Sequence, residues 1–164
     1  MADTPFDFRE TMMLNSRVRG LPAPASAALP ANDQLEGYDS CYLVKRSTAA
    51  ETVTETAADM ALCIRVSAPE SGRVMEVWST EPALQFYTGL APQEPLPDGM
   101  GKGGHAYFQQ HGLCFEPQGY PNAPNCPAFP SSVCVPGQGR AGRTVYRFSV
   151  SVLPWTRSVS VQRE

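Results

Sequence analysis

The sequence predicts an all-β domain built from antiparallel strands. Three observations carry that prediction. Sixteen prolines and thirteen glycines are spread along 164 residues rather than gathered into one tail, so turns must be frequent and extended segments short. Arg143 to Val152, RTVYRFSVSV, alternates cleanly, with Val145, Arg147, Ser149 and Ser151 on one side and Tyr146, Phe148, Val150 and Val152 on the other. ALCIRVS and RVMEVWST flank a short turn, PESG, which is the pattern of a hairpin. No internal repeat and no convincing amphipathic helix competes with this reading.

The elements follow in chain order. Phe6 and Phe8 alternate with Asp7 and Arg9, which admits a short strand. Glu10 to Val18 reads as loop or a short helical turn. Leu21 to Pro30 is an Ala/Pro tract without packing periodicity, read as a surface loop, and an insertion is expected over 21–34. GYDSCYLV is a turn entering a strand from Tyr38 to Val44. Thr52 to Thr56 is a hairpin strand or a loop. In the strand Ala61 to Ser67, Leu62, Ile64 and Val66 are expected on one face, with Cys63 and Arg65 on the other. Arg73 to Thr80 completes the hairpin. Leu84 to Thr88 is a further strand whose Phe86 and Tyr87 point to opposite faces. Ala91 to Gly104 is a long loop, and His105 to Phe108 could be extended. Gly112 to Glu116 is a short strand expected to end at Pro117, because proline cannot donate to a central ladder. The proline-rich stretch from Gln118 to Pro136 cannot stay regular for long.

Composition removes several function classes. A chain of 164 residues supports one domain with a real core, and 1–164 is read as a single unit. A net charge of −3 gives no electrostatic footprint for nucleic acid or an anionic membrane. No apolar run is long enough to span a bilayer, and the N-terminus lacks a basic region followed by an apolar core, so a cytoplasmic protein is expected. The five cysteines make no C-x-x-C and the two histidines do not complete a zinc site; small buried thiols and no metal are expected. In GMGKGG the glycines follow the lysine, which is the wrong order for a phosphate loop, and no cofactor is implied. No serine or cysteine sits in a nucleophile elbow, so a hydrolase triad is unsupported.

Glu116 stands between Leu113-Cys114-Phe115 and Pro117. A carboxylate in that setting usually faces solvent. A reason to hold it in a cleft lies nearby. Phe86, Tyr87, Tyr120 and Phe129 could wall such a cleft, and Gln85, Gln118, Asn122 and Asn125 could decorate it. Aromatic walls with a few amides and carboxylates suit a sugar, whose CH face stacks while its hydroxyls pair.

QFYTG, GKGG, GLCFEPQGYPNAPN and FPSS, with TPFDFR at Thr4–Arg9 and GYD at Gly37–Asp39, resemble the aldose 1-epimerase (galactose mutarotase) family in motif and in order. The resemblance covers nearly the whole chain apart from the Ala/Pro tract and the last dozen residues. It implies a large antiparallel β-sandwich with an open hexose cleft. It also implies interconversion of the α and β anomers of sugars such as galactose and glucose. A glutamate acts there as base on the anomeric hydroxyl and a histidine as acid on the ring oxygen, since one proton must leave as another arrives. Carried over residue by residue, Glu116 matches the base, Asp39 a substrate-binding aspartate and Gln85 a glutamine of the sugar cleft. Tyr87, Gln118 and Asn125 fall in the same motifs as wall or support. For Asp39 a turn aspartate capping its own backbone stays open as the other reading.

The departures shape the expectation. The family's acid histidine belongs to its N-terminal half, which this chain does not match, and His105 and His111 correspond to neither cleft histidine. Ser40-Cys41 replace His-Asn after the aspartate, and Pro117 replaces a threonine. A portion of the sandwich is expected to expose apolar faces and open edges, and to pair with an N-terminal half or with itself. The expected function is aldose 1-epimerase-like, impaired when alone. The alternative is a non-catalytic carbohydrate-binding module or a fragment without independent function.

Overall fold

Residues 4–14, 21, 37–46, 60–90 and 101–151 are described by the structure, a computed structural model. The fold is all-β, an antiparallel β-sandwich built from two three-stranded sheets. Its strands are β1 (Asp39–Leu43), β2 (Ala61–Ala68), β3 (Arg73–Ser79), β4 (Ala83–Tyr87), β5 (Cys114–Gln118) and β6 (Thr144–Val150). One sheet has the order β1-β4-β5 and the other β2-β3-β6, with every pairing antiparallel. Among the described residues the only helical elements are single 3-10 turns at Lys102–Gly104 and Ala123–Asn125. Among the described residues no helix is long and apolar enough to cross a membrane.

Period-two alternation divides the first sheet into two unlike faces. Tyr42, Leu84, Phe86 and Phe115 share the core face, as their register positions require. Phe86 is 3% exposed and lies stacked between Phe115 and Tyr38, with both centroid distances 5.1 Å. Phe8 meets Tyr38, Tyr42 and Phe86 edge-on, at 5.0, 5.7 and 5.5 Å. Such offset and T-shaped pairs are the geometries that the ring quadrupole favours. Tyr38 is fully buried; its hydroxyl donates to the Pro5 carbonyl at 2.7 Å, which ties the N-terminal segment to the sheet. The Tyr42 hydroxyl is buried without a hydrogen-bond partner among the described residues, and burial pushes its pKa upward.

The N-terminal segment therefore differs from its expected strand. Thr4 to Asp7 is a turn, closed by the Asp7 amide on the Thr4 carbonyl. Phe6 and Phe8 both reach Tyr38 from this turn and the irregular segment that follows it. Arg9 pairs with Asp7 instead of extending the backbone. Leu21, read as the start of a surface loop, is 3% exposed and joins the Tyr38–Phe86 cluster. The rest of the insertion at 21–34 lies outside the described residues, as do Thr52–Thr56 and residues 91–100. His105–Phe108 forms no strand.

In the second sheet the hairpin forms as expected. Gly72 closes its turn at φ 68°, donating to the Ala68 carbonyl at 2.9 Å. The faces of β2 do not follow simple alternation. Leu62 pairs with Trp78 but Ile64 pairs with Val77, so Cys63 is the extra residue of a β-bulge. One added residue reverses every later side chain. Leu62 and Arg65 thus share the Trp78–Glu76 face, while Ile64 and Val66 share the other, correcting the expected grouping. Arg65 pairs with Glu76 at 3.4 Å, Trp78 donates to Glu76 at 3.2 Å, and the Arg147 guanidinium lies 5.1 Å from the Trp78 ring. On the opposite face, Tyr146, Phe148 and Val150 of β6 are 48%, 75% and 68% exposed.

Two further expectations change. β5 runs through Pro117, which stands opposite Leu84. The strand lies at the edge of the described sheet, where one row of backbone groups has no neighbour, so a missing N–H need not interrupt a ladder. The cysteines are not buried: Cys114 and Cys134 are exposed, Cys41, Cys63 and Cys126 are half-buried, and all five are free thiols.

Candidate sugar site

The other face of the first sheet is polar. From register, Asp39, Cys41 and Leu43 of β1 share it with Tyr87, Gln85 and Ala83 of β4, and with Cys114, Glu116 and Gln118 of β5. The central cross-strand row is Cys41–Gln85–Glu116, and the next is Asp39–Tyr87–Cys114. Directly opposed side chains start about 4.5–5.5 Å apart at Cβ, and long ones reach diagonal neighbours. Gln85 uses that reach: its Nε2 donates to Asp39 Oδ1 at 2.7 Å.

Asp39, Gln85, Tyr87, Glu116, Gln118 and Pro121 line an open pocket of about 480 Å³. That volume falls within the range of about 300–1,000 Å³ usual for small-molecule sites. The three residues singled out in the sequence therefore meet in one place, from strands 46 and 31 positions apart (39 to 85, then 85 to 116). Glu116 is exposed, and its carboxylate makes no hydrogen bond or ion pair among the described residues, while Asp39 and Gln85 are half-buried and joined to each other. The site thus offers a fixed amide–carboxylate pair, a second carboxylate and a tyrosine ring, on a rigid three-stranded support.

Other predicted wall residues do not converge here. Phe86 is spent on the core face. Tyr120 and Phe129 make an edge contact with each other at 5.1 Å, outside the pocket lining. Asn125 donates to Asn122 at 2.6 Å within their own turn. Neither His105 nor His111 lines the pocket; both are exposed, and His111 packs against Phe108. Among the described residues no group of three or more His, Cys, Asp or Glu is arranged to hold a metal.

Cys41 is the residue that motif reading passed over. Strict alternation from Asp39 puts it on the same face, so the signal was present in the spacing. Burial pushes its thiol pKa upward, and a hydrogen bond from the Gln118 side chain partly offsets that rise.

Residues 1–147 match the family model described as aldose 1-epimerase. The chain belongs to the aldose 1-epimerase family. Among curated relatives it is 32% identical over 148 residues to galactose mutarotase of Sus scrofa and 30% identical over 148 residues to that of Mus musculus. Each match takes in 90% of this chain and 36% of the relative. The aldose 1-epimerase of Escherichia coli (strain K12) is 28% identical over 152 residues, again 90% of this chain and 37% of the relative. The chain spans little more than a third of the length of the curated relatives it matches. Among the described residues, the aldose 1-epimerase match takes in all three strands that build the pocket and most of β6.

Proposed function

We propose that this chain carries the base and sugar-ligand part of a hexose mutarotase site. The observation that supports the reading is the convergence of Asp39, Gln85 and Glu116 on one sheet face around one pocket. Gln85 and Asp39 form a paired donor–acceptor surface for adjacent ring hydroxyls. Tyr87 offers a ring for the CH face of a pyranose. Glu116, with its carboxylate open to the pocket, is placed to take the proton of the anomeric hydroxyl.

The step balances without any redox partner. The O1–H proton passes to Glu116, a proton from an acid reaches the ring oxygen, and the C1–O5 bond breaks to give the open-chain aldehyde. Rotation about C1–C2 and reversal of both transfers close the other anomer. The pocket lining contains no histidine, so the acid is proposed to come from a polypeptide that corresponds to the part of the relatives outside the match. The exposed Tyr146–Phe148–Val150 surface is the apolar area that such a segment would cover. Loss of a general acid typically costs about 10²–10⁴ in rate, so slow turnover is expected from the chain by itself. Five unpaired thiols support a reducing compartment such as the cytoplasm.

Polarimetric mutarotation of α-D-galactose, wild type beside Glu116→Gln at equal concentration, tests the reading. A rate above the water blank that disappears in the variant supports it. Equal rates in wild type, variant and blank refute turnover. The absence of histidine from the lining favours a second reading in that case, a carbohydrate-binding module. Saturable galactose binding without turnover would establish it, and aggregation without binding would mark a fragment with no function of its own.

A further inference from the structure

We infer that Arg140 is a positioning residue of the pocket: through its ion pair with Glu81 it holds Gly119, and with it the wall from Gln118 to Pro121, in place for a bound hexose. The effect on sugar binding rests on the reading of the pocket as a hexose site; the hold on Gly119 does not.

Five of the six residues that line the pocket belong to strands, and Pro121 is the exception. Strand β5 ends at Gln118, and the chain then leaves the ladder through Gly119 and Tyr120. The Tyr120 carbonyl accepts from the Ala123 amide at 3.3 Å, a bond within the next turn that ties nothing back to the sheet. Arg140 supplies the tie. Its Nη2 donates to Glu81 Oε2 at 2.8 Å. A side-chain carbon at 119 would stand 3.5 Å from the same Nη2 and 4.0 Å from Nη1, so the guanidinium spreads over the glycine. Among the described residues, nothing else outside the immediate chain neighbours comes within 4 Å of that position. Glu81 precedes Ala83 by two residues, and Ala83 pairs with Gln118, so the ion pair sits at the end of the sheet where Gly119 departs.

The anchor of this contact is itself fixed. The Glu81 amide donates to Ser79 Oγ at 3.1 Å, and Ser79 is fully buried. The Thr80 amide donates to the Arg143 carbonyl at 3.0 Å, and the Arg143 amide returns a bond to Thr80 Oγ1 at 2.9 Å. These bonds join the corner between β3 and β4 to the chain just after Arg140. A side-chain carbon at 142 would meet Glu81 Oε1 at 2.6 Å, so the carboxylate rests against backbone that Gly142 leaves open. The Glu81 side chain is 18% exposed and that of Arg140 51%. A seated acid thus draws a largely exposed base across Gly119, where an unpaired arginine would be free to extend into solvent. Because Gly119 stands between Gln118 and Pro121, what holds it sets the spacing of two lining residues.

NMR on the full chain tests the inference, with Arg140→Ala, Glu81→Ala, the double variant and Asp39→Asn. Without ligand, the backbone order parameters of Gly119 and Tyr120 are expected to fall in Arg140→Ala while those of Asp39–Leu43 stay unchanged. Glu81 reaches Gly119 through Arg140, so Glu81→Ala should give the same fall and the double variant no more. Titration with D-galactose should show affinity weakened about 2–5-fold in all three, the worth of an exposed ion pair, at a nearly unchanged urea midpoint. Unchanged order parameters at Gly119 in either single variant, or losses that multiply in the double variant, overturn the inference. Order parameters that fall with no loss of affinity overturn the role in the site. A loss of affinity matched by a fall in midpoint does so too, since it marks general destabilisation. Asp39→Asn tests the premise separately. Full binding in Asp39→Asn, or none in wild type, removes the hexose reading, and the order parameters still decide whether Arg140 holds Gly119.

Discussion

Gln85 and Phe86 are neighbours in sequence, and their replacement is expected to damage different properties. Phe86 is 3% exposed and stacks on Phe115 and Tyr38, each at 5.1 Å, with Phe8 edge-on at 5.5 Å. Phe86→Ala removes a buried ring and leaves a cavity, at a cost of about 3–5 kcal/mol. A domain of this kind has a total stability of about 5–15 kcal/mol, so the variant loses a large share of it. Phe86→Leu keeps most of the volume and is the variant to use if alanine does not fold. Gln85 faces the pocket and bonds Asp39 at 2.7 Å. Gln85→Leu forfeits that charge-assisted bond, which is half-buried, and is expected to cost about 1 kcal/mol of stability. Its main effect should be on the sugar, since both the amide and the orientation of Asp39 are lost. Urea denaturation followed by circular dichroism, beside a galactose titration, reads both quantities. The expected pattern is a large fall in midpoint for the Phe86 variants and a large fall in affinity for Gln85→Leu at a nearly unchanged midpoint. A Phe86→Ala protein within 1 kcal/mol of wild type, or a Gln85→Leu protein that binds normally, would refute the division of the strand into a core face and a ligand face.

Three further outcomes are expected. Tyr42→Phe deletes a buried hydroxyl with no partner among the described residues and should raise stability by about 1–3 kcal/mol in urea denaturation. Burial raises the Cys41 and Cys63 thiols above their ordinary value of 9.0, so the folded chain holds these protons to higher pH than the unfolded chain does. Their contribution is therefore complete below pH 9.0 and declines as pH rises through and above it, and a double Cys41→Ser, Cys63→Ser protein should show a flatter alkaline limb in the pH dependence of unfolding. Gly72→Ala forces a side chain onto a backbone at φ 68°, 3.0 Å from the Ser151 carbonyl, and is expected to lower the thermal midpoint by an amount worth about 1–2 kcal/mol.

The sites where sequence reading succeeded and failed have physical reasons. Strands β2 and β3 announce themselves as two β-rich runs on either side of the PESG turn, and β6 by its clean alternation. Asp39, Gln85 and Glu116 were singled out through their motifs, and alternation puts them on one sheet face once the register is known. The bulge at Cys63 was not legible, because a bulge depends on the partner strand and not on any residue of β2 alone. Pro117 misled for a related reason. Its meaning depends on whether β5 is central or at an edge, and strand order is a tertiary fact. Phe86 and the pair Tyr120–Phe129 looked like cleft walls because aromatic residues near a carboxylate serve cores and ligands equally well. Phe6 and Phe8 alternate with polar residues as a strand would, but that spacing does not show whether a partner strand is there to pair with; a turn closed by Asp7 on Thr4 carries both rings to Tyr38 instead.

The division between the two faces of the β1-β4-β5 sheet also explains how a site of few residues can be held firmly while standing open to solvent. Every strand that contributes a pocket residue also contributes a ring to the core: Tyr42 from β1, Phe86 from β4 and Phe115 from β5. The rings are locked by stacking on one side, so the backbone that carries Asp39, Gln85 and Glu116 cannot shift without unpacking them. Rigidity therefore reaches the pocket through the sheet and not through contacts within the pocket. Among the described residues, Glu116 needs no partner of its own to be held in register, because Gln85 fixes its row and Phe115 fixes its strand. A carboxylate left free of such partners keeps its oxygens available to a ligand, which is the condition a general base must meet.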